Sequence, residues 1–350
     1  MNFSNFKLQT YEFNEFCRLK TFSNCLIWNL KNIEVQMKKI GIFCGAENSF
    51  PFSLIEYINS RVKNAEAELV KVGFCKVGEA LDYDIIFDRV SREVPMYQSI
   101  LKSAALAGVK VINDPFLRCL EDYFFQYNLA NKLGVKTPKT VIIPTKEHPE
   151  GTTSETFKNL IYPLNWSDLF DYIGFPLIIR LNVINNEALT FRVYNPMEFF
   201  SAYDYSGNKQ LIVQEDLKPE AHFRVFVVGK EKVRIFNYDP NKPLVARYSK
   251  ENNFVKPELK SALETLAKKI CVAANLDFTT IDFVLSNDEV YVYNFYNTTP
   301  RIDTTIFSDD EYEWFVFTLG DYLISLLERP KNTSELSNKG YNLFVSDKFR

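Results

Sequence analysis

Thr280-Ile281-Asp282-Phe283-Val284 is followed, after a turn at Ser286-Asn287-Asp288, by Val290-Tyr291-Val292-Tyr293-Asn294-Phe295-Tyr296-Asn297-Thr298-Thr299-Pro300. Two β-prone runs separated by turn residues predict a pair of antiparallel strands. The pair presents oxygen atoms at one end, from Asp282 on one strand and from Asn294 and Asn297 on the next. Mg²⁺ takes hard oxygen ligands and keeps waters and substrate phosphates in its shell, so these three residues are a candidate metal set. The set holds one carboxylate where a second is expected.

Upstream of this hairpin the chain divides by pattern. Residues 1–36 are rich in Phe and Asn without a period, and are read as an N-terminal extension or a mis-assigned start, with disorder one state open to them. From Met37 the run Met-Lys-Lys-Ile-Gly-Ile-Phe-Cys-Gly reads as the first strand of an α/β domain entering a glycine turn. Phe52, Ile55, Ile58 and Val62 then recur at helical spacing over Pro51 to Lys63. Strands over Ala67–Phe74, Tyr83–Phe87 and Val109–Ile112, with a helix over Pro95–Ala107, alternate at the rhythm of a mostly parallel sheet. Residues 37–115 are therefore expected to form a small open α/β lobe.

The remainder, residues 116–330, reads as α+β. A helix from Pro115 to about Leu133 stops at Gly134, and a linker and strand follow over Val135–Pro144. Small strands dominate to about residue 210: Leu177–Arg180, entered through Gly174-Phe175-Pro176 after a helix over Trp166–Ile173, pairs with Thr190–Val193. Residues 137–210 thus form a separate small lobe. Strands at Leu211–Gln214, Phe223–Val228 and Val233–Tyr238 come next. A helix over Pro257–Ala274, the hairpin quoted above and a helix over Tyr312–Glu328 complete the order, with a loose polar tail over 331–350.

Composition narrows the function classes. A formal charge of -3 and a pI near 5.7 give no electrostatic footprint for nucleic acid or an anionic membrane. The abundant Phe (31) and Tyr (19) are assigned to cores rather than to a binding surface. Six cysteines, at 17, 25, 44, 75, 119 and 271, lack CxxC spacing, and His148 and His222 are the only histidines. A zinc site of several imidazoles or a Cys-His nucleophile has little to work with. No apolar run approaches the roughly 18 residues that cross a bilayer. The expectation is a cytoplasmic protein with reduced thiols.

The order of parts resembles the ATP-grasp superfamily, and within it carboxylate-amine ligases such as glutathione synthetases and peptide glutamate ligases. The resemblance covers about residues 38–328. It rests on Leu133-Gly134-Val135 followed by Thr137-Pro138-Lys139-Thr140, on Gly174-Phe175-Pro176, on Gln214-Glu215-Asp216-Leu217, on Phe223-Arg224-Val225-Phe226-Val227-Val228-Gly229, and on the strands of Asp282 and Asn297. It implies an N-terminal open α/β lobe followed by a two-lobed ATP-grasp fold, with ATP and Mg²⁺ as cofactors and a small-molecule or peptide substrate, a carboxylate plus an amine. It further implies that Gln214, Glu215, Asp216 and Leu217 border the adenine, that Arg180 faces the phosphates, and that Arg224 and Arg247 steady the transferred phosphate or acyl-phosphate. Asp282, Asn294 and Asn297 would hold the metal.

Departures from that pattern are grouped at the chemistry. Arg180 stands where a lysine is usual, and a planar fork is no neutral replacement for a point charge. Leu181-Asn182-Val183-Ile184-Asn185-Asn186-Glu187 has no glycine where a flexible phosphate loop is expected. Tyr123 takes a second lysine position, and Asn294 takes the place of a second acid. Two readings follow: an ATP-dependent ligase that makes an amide through an acyl-phosphate, with intact or degraded activity, or a pseudoenzyme that binds a nucleotide or a peptide as a sensor or scaffold.

Overall fold

The structure is a computed structural model that describes residues 37–79, 81–184, 189–249 and 256–328. The readings made above for residues 1–36 and 331–350 lie outside the described residues. The described chain holds twelve strands in three four-stranded sheets, with seven α-helices.

The first lobe contains β1 (Lys38–Phe43), α1 (Phe50–Arg61), β2 (Ala65–Leu69), β3 (Ile85–Asp88), α2 (Pro95–Leu106) and β4 (Lys110–Ile112). Its sheet runs β2-β1-β3-β4 and every pairing is parallel. Such a sheet needs cover on both faces. Ile40, Ile42, Ile85 and Phe87 face α1 on one side, and Phe43, Ile86 and Val111 face α2 on the other. Two expectations are corrected here. The second strand starts and ends earlier than Ala67–Phe74, leaving Phe74 exposed. The inner face of α1 is carried by Phe50, Leu54 and Ile58, while Phe52 is turned outward. The spacing of four between those three residues fits the helical turn as well as the stripe chosen from the sequence.

The expected long helix over 115–133 is also two pieces. A 3-10 turn over Leu117–Glu121 precedes α3 (Tyr123–Lys132), because Asp122 leaves the helix and its carboxylate caps the Phe125 amide at 2.9 Å. Gly134 follows at φ 69°, the left-handed conformation that ends the helix.

The small lobe holds β5 (Thr140–Ile143), α4 (Trp166–Ile173), β6 (Leu177–Leu181), β7 (Thr190–Val193), α5 (Pro196–Tyr205) and β8 (Leu211–Glu215) in an antiparallel sheet of order β5-β8-β6-β7. The expected pairing of β6 with β7 is present. The helix α5 is an addition to the sequence reading. Its start carries a legible signal: Asn195 accepts from the Glu198 amide at 3.0 Å, and Pro196 opens the first turn. Leu177, Ile179, Leu211 and Val213 face α4 and α5, so the alternate residues Arg180, Ile212 and Gln214 face the rest of the chain.

The central sheet, β10-β9-β11-β12, comprises β9 (Ala221–Val228), β10 (Lys232–Asn237), β11 (Phe278–Ser286) and β12 (Glu289–Asn297), all antiparallel. Gly229 and Lys230 close one hairpin at φ 61° and 66°, and Asn287 and Asp288 close the other at 51° and 60°. Two central residues at positive φ match the right-handed strand twist. One face packs on α6 (Pro257–Ala274) and α3; the other packs on α7 (Asp309–Leu327), which also lies against α1. Asn113 ties the first lobe to β11, accepting from the Asp277 and Phe278 amides at 2.7 and 2.9 Å and donating to the Phe278 carbonyl at 2.6 Å.

Candidate functional site

Two clusters of charged and aromatic side chains lie along the central sheet, and β12 joins them. Its pairing with β11 is irregular: Phe283 opposes Val292, Asp282 opposes Asn294, and Thr280 opposes Asn297. Tyr293 is therefore an extra residue between two paired positions, which is a β-bulge, and bulges re-aim side chains.

The first cluster centres on Arg180. Its guanidinium lies 4.0 Å from the ring centroid of Tyr123 on α3 and 4.6 Å from that of Tyr293 on the bulge. It also donates to the Tyr127 hydroxyl, which in turn donates to the Tyr293 carbonyl at 2.9 Å. Burial opposes the charge of Arg180, but the hydroxyls of Tyr127, Tyr293 and Tyr123 outweigh it and hold the guanidinium protonated. Burial likewise raises the pKa of Tyr127, so this hydroxyl stays neutral. Two buried polar atoms on this side of the small lobe have no partner, Arg180 Nε and Gln214 Oε1. Arg180 and Gln214 share one face of the small-lobe sheet.

The second cluster centres on Arg224. Directly across the β9–β11 pairing stands Asp282, and the two side chains form a fork: Nε to Oδ1 at 2.6 Å and a terminal nitrogen to Oδ2 at 2.9 Å. The guanidinium lies 3.8 Å from the ring centroid of Tyr238 and reaches the Tyr248 hydroxyl at 3.4 Å. Arg247 comes to the same ring from outside, donating to the Tyr238 hydroxyl at 3.3 Å and to the Lys242 carbonyl at 2.9 Å. Burial pushes Tyr248 up to about 12. His222, two residues before Arg224 on the same strand face, has its pKa lowered by burial against the opposing pull of Asp239 and Asp282.

The structure thus brings Arg224, Arg247 and Asp282 together at the middle of β9 and β11, with Asn294 opposite Asp282 on β12 and Arg180 against the adjoining bulge residue Tyr293. Asn297 lies further along β12, opposite Thr280. The four residues expected to border an adenine leave the small-lobe sheet together. Gln214 donates to the Thr140 hydroxyl at 3.0 Å, Glu215 accepts from the Lys139 amide at 2.7 Å, Asp216 is ion-paired with Arg192, and the Leu217 amide donates to the Glu215 carbonyl at 3.2 Å. Missing from the sequence reading were Tyr127, Tyr238, Tyr248 and Tyr293. Their abundance hid them, because an aromatic near a cation has no spacing signature in one chain.

The donor set can be tested against a divalent cation. Each oxygen of Asp282 accepts one hydrogen bond from Arg224, the Asn294 carboxamide oxygen accepts from the Tyr296 amide at 3.2 Å, and Asn297 adds no charge. Among the described residues, no group of three or more His, Cys, Asp or Glu side chains is placed to hold a metal. Mg²⁺ would have to share a single carboxylate with the Arg224 guanidinium or displace it, and amides supply no compensating charge. As these side chains stand, they do not fit Mg²⁺.

Comparison with solved structures finds the same fold. An ATP-grasp RimK domain protein from Sphaerobacter thermophilus superposes with a TM-score of 0.59 at 16% identity, over 81% of this chain and 98% of that one. A D-alanine–D-alanine ligase from Bacillus anthracis, complexed with ATP, gives 0.56 at 15% identity over 83% and 96%. The chain has the ATP-grasp fold. The ATP-grasp ligase PsnB, complexed with a minimal precursor, gives 0.57 at 12% identity, over 83% and 99%. No family model matches the sequence, and no curated protein matches it. An ATP-grasp fold with little sequence in common with its relatives leaves the chemistry to be argued from the site.

Proposed function

We propose that this protein is a binding module built on the ATP-grasp fold, one that takes a nucleotide without a divalent cation and forms no amide bond. The observation that carries this reading is the fork between Arg224 and Asp282. It turns the one carboxylate of the metal set into the partner of the cation that a phosphate would need, so each neutralises the other. Replacing a second acid by Asn294 works in the same direction. A nucleotide is favoured as the ligand by the fold, since one solved relative is complexed with ATP. The unpartnered Arg180 Nε and Gln214 Oε1 also support a polar ligand on that face of the small lobe, because buried donors and acceptors are costly when left unmade.

Thermal stabilisation tests this, since a ligand of the native state raises the unfolding midpoint by mass action. The expected outcome is a shift with ATP in EDTA that Mg²⁺ does not enlarge, and no ADP release with a panel of amino acids and peptides. A shift that requires Mg²⁺, together with ADP release abolished in Asp282→Ala, would overturn it.

A carboxylate-amine ligase is the second reading. It is favoured by the placing of two arginines, Arg224 and Arg247, on one tyrosine, Tyr238, where a developing negative charge would be stabilised. In that case Asp282, Asn294 and Asn297 would be the residues to hold Mg²⁺, and Arg224 would have to share or release Asp282. A cytoplasmic location accords with the four described cysteines, Cys44, Cys75, Cys119 and Cys271, all of which are free. Among the described residues no helix is long and apolar enough to cross a membrane.

A further inference from the structure

The segment that leaves β6 is sewn to the start of α3 by contacts from both sides. The Asn182 carboxamide oxygen accepts from the Phe124 amide at 2.8 Å, and Val183 forms a lone antiparallel bridge with Asp122. The Ile184 amide donates to the Glu121 carbonyl at 3.0 Å, and Arg92 of the first lobe donates to the Ile184 carbonyl at 3.4 Å. Asn182 and Ile184 are buried, Ile184 inside the cluster that includes α3 and α6. One turn of sequence earlier, Arg180 is gripped by Tyr123, Tyr127 and Tyr293.

We infer that Arg180 and residues 181–184 form a fixed strap that holds the small lobe against the body of the protein with no ligand present. Each contact joins the small-lobe strand β6 or its exit to α3, the turn just before it, β12 or the first lobe, so the lobe cannot swing without breaking all of them together. Segments that open readily have few buried apolar contacts and exposed backbone hydrogen bonds. This one has the opposite character, with Leu181, Asn182 and Ile184 buried, Val183 turned outward, and the amides of Asn182 and Ile184 donated to the Gln210 and Glu121 carbonyls. The strap stands on these contacts alone and holds whether or not a nucleotide binds.

Hydrogen exchange on the full chain tests it, read by mass spectrometry without nucleotide. The amides of Asn182 and Ile184 are expected to exchange with protection comparable to that of β8, and far more slowly than those of the surface loop over 145–153. Arg180→Lys keeps the charge but loses the delocalised plane against two tyrosine rings, and is expected to speed exchange across 181–184 at least about tenfold. Arg247→Lys, outside the strap, is expected to leave those amides unchanged. Loop-like exchange of 181–184 in the wild-type chain would overturn the inference without touching the account of the metal set. So would a marked fall in radius of gyration when ATP is added, read by small-angle scattering, since a lobe already held shut has no closure left to make.

Discussion

Arg224 and Asp282 occupy directly opposed positions on β9 and β11 and meet through two hydrogen bonds of 2.6 and 2.9 Å. Neither side chain is more than a fifth exposed. A fork of this geometry is stronger than a surface ion pair, since both charges are partly removed from water and each satisfies the other. Removing one partner leaves the other charged, half-desolvated and alone. Arg224→Met and Asp282→Asn are each expected to cost about 2–4 kcal/mol of stability, and the double variant clearly less than the sum. Urea denaturation of the four proteins checks this, and strict additivity would show that the two residues act apart.

The tyrosines around Arg180 make a second demand. A guanidinium against two tyrosine rings and donating to a third tyrosine uses its delocalised plane and its several donors, neither of which lysine has. Arg180→Lys is expected to lose about 1–2 kcal/mol despite keeping the charge. Equal stability of the two proteins in urea would mean that the charge alone matters.

Asp277 gives the fold a pH dependence of known sign. Its carboxylate is 3.3 Å from Lys110 Nζ and 3.2 Å from Lys230 Nζ. Burial alone would raise its pKa, yet the two ammonium groups outweigh burial and leave it below the ordinary carboxylate range. Between that lowered value and an unfolded value near about 3.9, the unfolded chain binds more protons, so stability rises with pH there. The contribution is complete above the ordinary carboxylate range and is lost as pH falls through the folded value. Asp277→Asn is therefore expected to be less stable than wild type at neutral pH, with the gap closing in acid. Urea midpoints across that range test it, and a gap that does not change with pH contradicts it.

The contact between α1 and α7 rests on a missing side chain. A methyl group at Gly320 would fall inside the ring edge of Tyr57, whose hydroxyl donates to Asp321 at 2.8 Å. Gly320→Ala is expected to destabilise the chain by about 1–3 kcal/mol, because a packed interface does not yield to an added carbon without shifting neighbours. The unfolding midpoint of this variant measures it; an unchanged midpoint would mean that Tyr57 swings aside freely.

Much of the fold was legible because local rules and tertiary packing agree. The turn at Asn287-Asp288 and the one at Gly229-Lys230 use residues that tolerate positive φ, and α6 shows its apolar stripe and its Pro257 start plainly. Where the two levels conflict, the sequence misleads. Asp122 looks like one more residue of a helix, but its short carboxylate competes for the backbone and starts a new one. The site was legible in its members and not in their partnerships. Arg224 and Asp282 stood out separately, one as a phosphate-facing cation and one as a metal ligand. Their meeting depends on the register of β9 against β11, two strands more than fifty residues apart, and no spacing within one chain reports it. The tyrosines about Arg180 come from α3 and from a bulge in β12, which is invisible until the strands are paired.

The central claim is that Asp282 belongs to Arg224 and is closed to a divalent cation. Mn²⁺, a paramagnetic stand-in for Mg²⁺, reports on this through water-proton relaxation when titrated into the protein with ATP present. The account predicts the same small enhancement for wild type and for Asp282→Asn. A large enhancement in wild type that disappears in Asp282→Asn would contradict it.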